Sequence, residues 1–314
     1  MIRLATLGID FHQIAPVQTL PMFSVEKNGE RPMAGYKTIL IVFRSPGEAE
    51  RLCLLAGNLA GIWQSHVLGF HARPGVSVNV GLRGDALRQW LDEKRKSIDE
   101  QEADTKAIFE RFTLSPGQSW EWRRVDAGRM PSGDMALDLA RCADLVLINR
   151  LQNGSSLTDP DMTLEQLMFE SGRPVLVIPM GYRGRHTAER IVVAWNGTLE
   201  ATRAAFDSLP LLSNVSSDCI RLVCPPVPNK GPSQLPRGAD FAEALARHGI
   251  EAEVMALPGR HSDAGLEILA QCEEFGADLL VMGAYGHSRL REYVFGGTTE
   301  TILNDSRIPV LISR

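Results

Sequence analysis

Short runs made only of apolar residues punctuate the chain, each followed by apolar positions at helical spacing. Residues 39–43 and 191–195 are two such runs, β-branched and uninterrupted, as expected of strands buried on both faces. After the first, Leu52, Leu55 and Leu59 recur at the helical period; after the second, Ala201, Ala204, Ala205 and Leu209 do the same. The segments 37–60 and 190–212 therefore start alike. They also end alike. Residues 142–151 (CADLVLINRL) and 276–284 (GADLLVMGA) each give an apolar strand. Then come 171–179 (SGRPVLVIP) and 306–314 (SRIPVLISR), closing strands led by Pro174 and Pro309, since proline is tolerated at a strand's start.

An internal repeat of strands alternating with helices predicts α/β architecture. The fold class is two tandem, doubly wound parallel-sheet domains, each of about five strands with helices on both faces. The boundaries expected are a poorly ordered extension over 1–35, a first domain over 36–180, a polar glycine-containing linker over 181–188 and a second domain over 189–314. The closing strands, 175–178 and 310–312, have edges that invite pairing. The two domains are expected to meet as a pseudo-dimer rather than as one continuous sheet. A charged stretch over 87–112, with Leu87, Trp90, Leu91 and Lys94 at helical spacing, reads as an extended helix solvated over most of its surface.

Composition narrows the chemistry without changing this picture. With 44% hydrophobic and 23% charged residues, the chain can build its cores without disulfides or structural metals. A net charge of −5 argues against nucleic acid as a partner, though not against a small anion at a locally positive site. The five cysteines are scattered, with no Cys-x-x-Cys, which suits reduced thiols and a cytoplasmic location. No apolar run approaches the roughly 20 residues of a membrane span, so no membrane partner is expected.

Chemistry concentrates in 279–303, LLVMGAYGHSRLREYVFGGTTETIL. A buried strand ends at Met282 and Gly283. Gly286 follows after two residues and Gly296 after nine more, and Gly297, Thr298 and Thr299 open an apolar-periodic helix. Ligands of parallel α/β sheets gather outside the carboxyl ends of the strands. Glycines there let backbone N–H groups approach an anion, and a new helix N-terminus aims further N–H groups at the same place. The neighbouring strand end, Ala194-Trp195-Asn196-Gly197-Thr198, adds a polar side chain.

The Gly-x2-Gly-x9-Gly spacing of Gly283, Gly286 and Gly296 resembles the signature of the universal stress protein family. The AYGHSRLRE run and the closing PVLIS strand resemble its bacterial members. The resemblance covers 188–314 well and 36–180 only through its strand ends and layout. It implies an adenine nucleotide alpha hydrolase-like fold and binding of ATP, or of ADP or AMP, with Mg2+ accompanying the nucleotide. It further implies that Gly283, Gly286 and Gly296 frame the phosphates, that Thr298 supplies a hydroxyl and that Val223 lies against the adenine. The resemblance also implies that the two domains pair through their closing strands, 175–178 and 310–312. Ala194, Met282, His287 and Gly297 complete the expected site. Two positions depart from the family pattern: Asn196 stands where an aspartate is common, and Gly297 where Ser or Thr is usual.

In the first half Asn149 takes the place of Gly283 and Arg44 that of Asn196, while Asp159 and Asp161 precede the next helix. Carboxylates there satisfy the helix dipole and repel phosphate, so this half reads as a copy without a site. No Walker loop, HExxH or GxSxG is present, and no catalytic or metal-ligating residue is assigned. His261-Ser262-Asp263 precedes a helix, where Ser262 or Asp263 serves as N-cap. The leading function is a stress-response regulator that binds an adenine nucleotide. A slow ATP hydrolase using the same loop and a scaffold that binds no nucleotide remain alternatives, as does a homodimer of whole chains.

Overall fold

The computed structural model describes residues 35–72, 83–113, 117–124, 132–150, 164–184, 186–225, 238–258, 263–284 and 297–314. The first half runs β1 (Thr38–Phe43), α1 (Ala49–Trp63), β2 (His66–His71), α2 (Gly84–Phe112), β3 (Ser119–Arg123), α3 (Ser132–Arg141), β4 (Leu145–Asn149), α4 (Leu164–Glu170) and β5 (Val175–Ile178). The second runs β6 (Ile191–Ala194), α5 (Leu199–Asp207), α6 (Leu209–Leu212), β7 (Ile220–Cys224), α7 (Ala239–Ala246), β8 (Glu253–Ala256), α8 (Ala264–Phe275), β9 (Leu279–Gly283), α9 (Gly297–Asp305) and β10 (Val310–Ser313). The extension expected over 1–35 lies outside the described residues except for Gly35.

Within each half the described strands pair in parallel, in the orders β3-β2-β1-β4-β5 and β10-β9-β6-β7-β8. The halves meet where expected, at their closing strands: β5 and β10 pair antiparallel, Val177 opposite Val310 and Val175 opposite Ile312. The expectation of two separate sheets is corrected, because this ladder fuses them into one ten-stranded sheet. Backbone groups on the two edges would otherwise stay unpaired beside apolar side chains, and each edge is the other's nearest partner.

Side-chain alternation sends Ile39, Ile41 and Phe43 to the sheet face shared with α1, and Leu40 and Val42 to the opposite face. Both core layers include residues of both halves, so burial is continuous across the seam. Polar contacts cross it too. The Tyr36 hydroxyl donates to the Asp207 carbonyl (2.6 Å) and Arg203 Nη2 to Gly172 O (3.1 Å), while Arg51 Nη1 holds the connecting segment through Gly184 O (2.9 Å). Burial, followed by the charges of Asp207 and Asp144, pushes the Tyr36 phenol well above its ordinary pKa, so it remains a donor.

Helix α2 has 29 residues, a length of roughly 43 Å. No residue from 84 to 101 is buried, and ion pairs such as Arg95–Asp92 (3.8 Å) run along it. Its last turns carry buried Glu102, Thr105 and Phe109, and Phe109 packs edge-on against Phe43 (6.1 Å between centroids). A Cβ at Gly69 would lie 2.5 Å from the Phe109 ring, so the glycine in β2 makes room for this contact.

An aspartate repeated in the two halves has a structural role that strand patterning did not reveal. Asp144 Oδ2 accepts from the N–H groups of Lys37 (2.8 Å) and Thr38 (2.9 Å), fixing the start of β1. Asp278 does the same for β6 through Glu189 (2.9 Å) and Arg190 (2.9 Å). Asp144→Ala or Asp278→Ala strands two backbone donors, and each is expected to lower stability by about 1–3 kcal/mol. Urea unfolding midpoints check this, with Asp→Asn recovering part of the loss.

Candidate functional site

In each half, crossovers leave the first strand in opposite directions, so a crevice opens where the chain order reverses. In the second half this point lies between β6 and β9, with Ala194 opposite Met282. In the first half it lies between β1 and β4, with Val42 opposite Ile148. The two registers place Arg44 at the position of Asn196 and Asn149 at that of Gly283, as read from the sequence.

Beyond β6 the chain turns sharply. Asn196 Oδ1 accepts from Thr198 N–H (3.1 Å), Gly197 takes a left-handed φ of +78° and Thr198 Oγ1 caps α5 by accepting from Ala201 N–H (3.3 Å). Half-buried Trp195 stacks on Phe241 (4.5 Å, 7°) and donates through Nε1 to Thr202 Oγ1 (3.1 Å). These contacts hold the first turns of α5 over the strand ends.

Gly283, the last residue of β9, lies against that first turn. A Cβ here would fall 2.2 Å from Ala201 N and 2.4 Å from Glu200 C, distances no side chain can occupy. The glycine thus has a packing reason that sequence reasoning missed: it lets the N-terminal turn of α5 sit directly on β9. In the first half Asn149 is 1% exposed at the same register and places its amide 3.9 Å from Met180 Sδ. A buried side chain fills the gap that a helix backbone closes in the second half.

Ala194, Val223 and Met282 form one row across three adjacent strands, on the face covered by α8 and α9, at 6%, 0% and 4% exposure. Helix α9 begins at Gly297, which is exposed and where an added Cβ would meet no described atom within 4 Å. Thr298 is half-buried and Thr299 buried in the first turn. Gly286, His287 and Gly296 lie outside the described residues, as do Asp159 and Asp161 of the first half.

Asp263 is the N-cap of α8: Oδ1 accepts from Gly265 N–H (2.8 Å) and Oδ2 accepts from the Thr301 hydroxyl of α9. The triplet 261–263 thus provides a cap, as expected, and its carboxylate also ties two helices together. A Cβ at Gly265 would sit 3.1 Å from Thr298 O, so α8 and α9 run in close contact beside the crevice. Among the described residues no three His, Cys, Asp or Glu side chains converge as metal ligands. Burial pushes the Cys53 and Cys272 thiols up to about 12, leaving both protonated near neutrality. No described helix is long and apolar enough to cross a membrane.

A doubly wound α/β protein in tandem, with helix N-termini gathered at a strand-end crevice, is the class that fold and site define. The sequence model of the universal stress protein family matches residues 187–314. A universal stress protein of Synechocystis sp. is 28% identical over 151 residues, covering 48% of this chain and 50% of that protein. One from Methanocaldococcus jannaschii is 37% identical over 46 residues, covering 15% of this chain and 28% of that protein. The chain thus spans half, or less, of the length of these curated relatives. The crystal structure of a universal stress protein from Archaeoglobus fulgidus is similar in fold across both halves. Its TM-score is 0.63 at 17% identity, covering 88% of this chain and 96% of that one.

Proposed function

We propose that residues 187–314 bind an adenine nucleotide, ATP foremost, and that the chain serves as a nucleotide-dependent regulator in a stress response. The observation that carries this reading is the crevice between β6 and β9, where Gly283 brings α5 onto the strand end and α9 starts at an open Gly297. Unpaired N–H groups and the positive end of a helix dipole favour a phosphate at such a place. Gly286 and Gly296 carry the loop between β9 and α9, so their amides would frame the phosphates, with His287 beside them. Thr298 would add its hydroxyl. Mg2+ would enter with the nucleotide and neutralise phosphate charge.

The base and ribose fall to the β6–β7 side of the crevice, over Ala194 and Val223. Asn196 already commits Oδ1 to Thr198 N–H, so its side-chain NH2 is the group that would donate to the nucleoside. Asn196→Ala is expected to weaken ATP binding by about 1–2 kcal/mol, whereas Arg44→Ala should leave it unchanged; calorimetric titration checks both. The decisive test of the whole reading is native mass spectrometry of freshly purified chain together with titration of stripped protein. An adenine nucleotide carried through purification, or ATP binding in the micromolar range, supports it. Failure of ATP, ADP and AMP all to bind would leave the protein-contact scaffold as the better account.

A further inference from the structure

Arg150, in the half without the glycine loop, grips the far end of the helix that opens the nucleotide crevice. It follows β4 by one residue, and its backbone N–H donates to Ile178 O (2.9 Å). Its guanidinium crosses the seam, where Nη2 donates to Asn304 Oδ1 in the last turn of α9. Glu300 and Asp305 of α9, with Glu165 of α4, supply the negative charge around it, and partial burial lowers its pKa from the ordinary arginine value. Asn304 lies seven residues after Gly297, so Arg150 meets the helix about 10 Å along its axis from that start. A cation at a helix C-terminus also complements the dipole.

The corresponding position in the second half is Ala284, fully buried, with its N–H on Ser313 O (3.0 Å). An alanine cannot reach across the seam, so this link exists in one direction only. At its middle α9 is tied within its own half by Thr301 to Asp263. Two restraints, one from each half, therefore act on the axial position of a short helix.

We infer that Arg150 is a positioning residue: by anchoring the C-terminus of α9 it sets the height of the Gly297–Thr299 amides, so the first half regulates the nucleotide site it does not itself contain. This rests on the nucleotide reading above. Linkage makes the effect reciprocal, and nucleotide on the first turn should tighten the seam at Arg150.

The test uses the full chain with Arg150→Ala, Arg150→Lys and Asn304→Ala. Hydrogen exchange over 297–305 is followed without ligand, and ATP and adenosine are titrated by calorimetry. Arg150→Ala and Asn304→Ala should both speed exchange in α9. ATP affinity should fall about tenfold, equivalent to ~1.4 kcal/mol, with adenosine affected less than about twofold because it makes no phosphate contact. Arg150→Lys should recover part of both effects, since it keeps the charge and loses the planar fork. Unchanged exchange in ligand-free Arg150→Ala overturns the anchor whatever the nucleotide does. Equal weakening of ATP and adenosine overturns it as well, by pointing to a general loss of structure. A wild-type chain that binds neither ligand overturns the nucleotide reading and with it the regulation, while the exchange arm still decides whether Arg150 holds α9.

Discussion

Gly283→Ala should unfold at clearly lower denaturant and lose most of its ATP binding, although only a methyl group is added. The added carbon would lie 2.2 Å from Ala201 N, 2.4 Å from Glu200 C and 2.7 Å from Ala201 Cα. All three are backbone atoms in the first turn of α5, so no rotamer change relieves the overlap. Either α5 lifts off the sheet or β9 shifts. Overpacking of this kind costs about 1–3 kcal/mol and occasionally more. Lifting α5 also disturbs the turn in which Asn196 holds Thr198 and the bond from Trp195 to Thr202. Urea unfolding reads the stability loss, and titration should show ATP weakened by more than tenfold. Gly297→Ala is the matched control: an added carbon there meets no described atom within 4 Å, so stability should barely change. A Gly283→Ala protein as stable as wild type would mean that α5 does not rest on β9 as described.

The second expected result is a stoichiometry of one nucleotide per chain. At matched register the second half offers Gly283, whereas the first offers a buried Asn149 and the cation Arg44. Arg150, one residue further on, is committed to α9. The first half also lacks the repeated glycines, and its corresponding loop carries Asp159 and Asp161. A deficit of ~3 kcal/mol weakens binding roughly a hundredfold, so the first crevice should stay empty when the second is full. Gly286→Val or Gly296→Val should abolish binding, because a branched side chain would stand where the phosphates are proposed to lie. Equilibrium dialysis with labelled ATP measures both. A ratio near two, or binding that survives Gly296→Val, would show that the glycine loop has been given the wrong role.

What patterning made legible was the repeat, and with it the sheet. The fully apolar run 175–178 has no competing reading, and β5 occupies it with the expected limits. Continuity of the sheet was not legible. Whether two edges merely face each other or exchange hydrogen bonds depends on a few ångströms of approach, to which local periodicity is blind. The site divides similarly. Register alone aligns Asn149 with Gly283. That Gly283 yields its space to a helix backbone follows from the close approach of α5 to β9, which no residue spacing encodes. Asp144 and Asp278 were visible as part of a repeated Ala-Asp-Leu, but among strand residues a carboxylate with distant backbone partners gives no periodic signal. Arg150 gives no local signal, because its partner lies 154 positions away.

The antiparallel join of β5 and β10 has a consequence for geometry and for concentration. Because each half is parallel within itself, their strand ends face opposite rims of the shared sheet, and a molecule seated in one crevice cannot touch the other. Any communication must travel through the solid parts between them. The join is also tethered within a single polypeptide. Two separate subunits would come apart on dilution, whereas here the local concentration of one half around the other is set by a short connection, in the millimolar range for short flexible tethers. The pairing should therefore persist at any protein level a cell can reach. One half is thus free to lose a ligand pocket while still completing its neighbour's sheet.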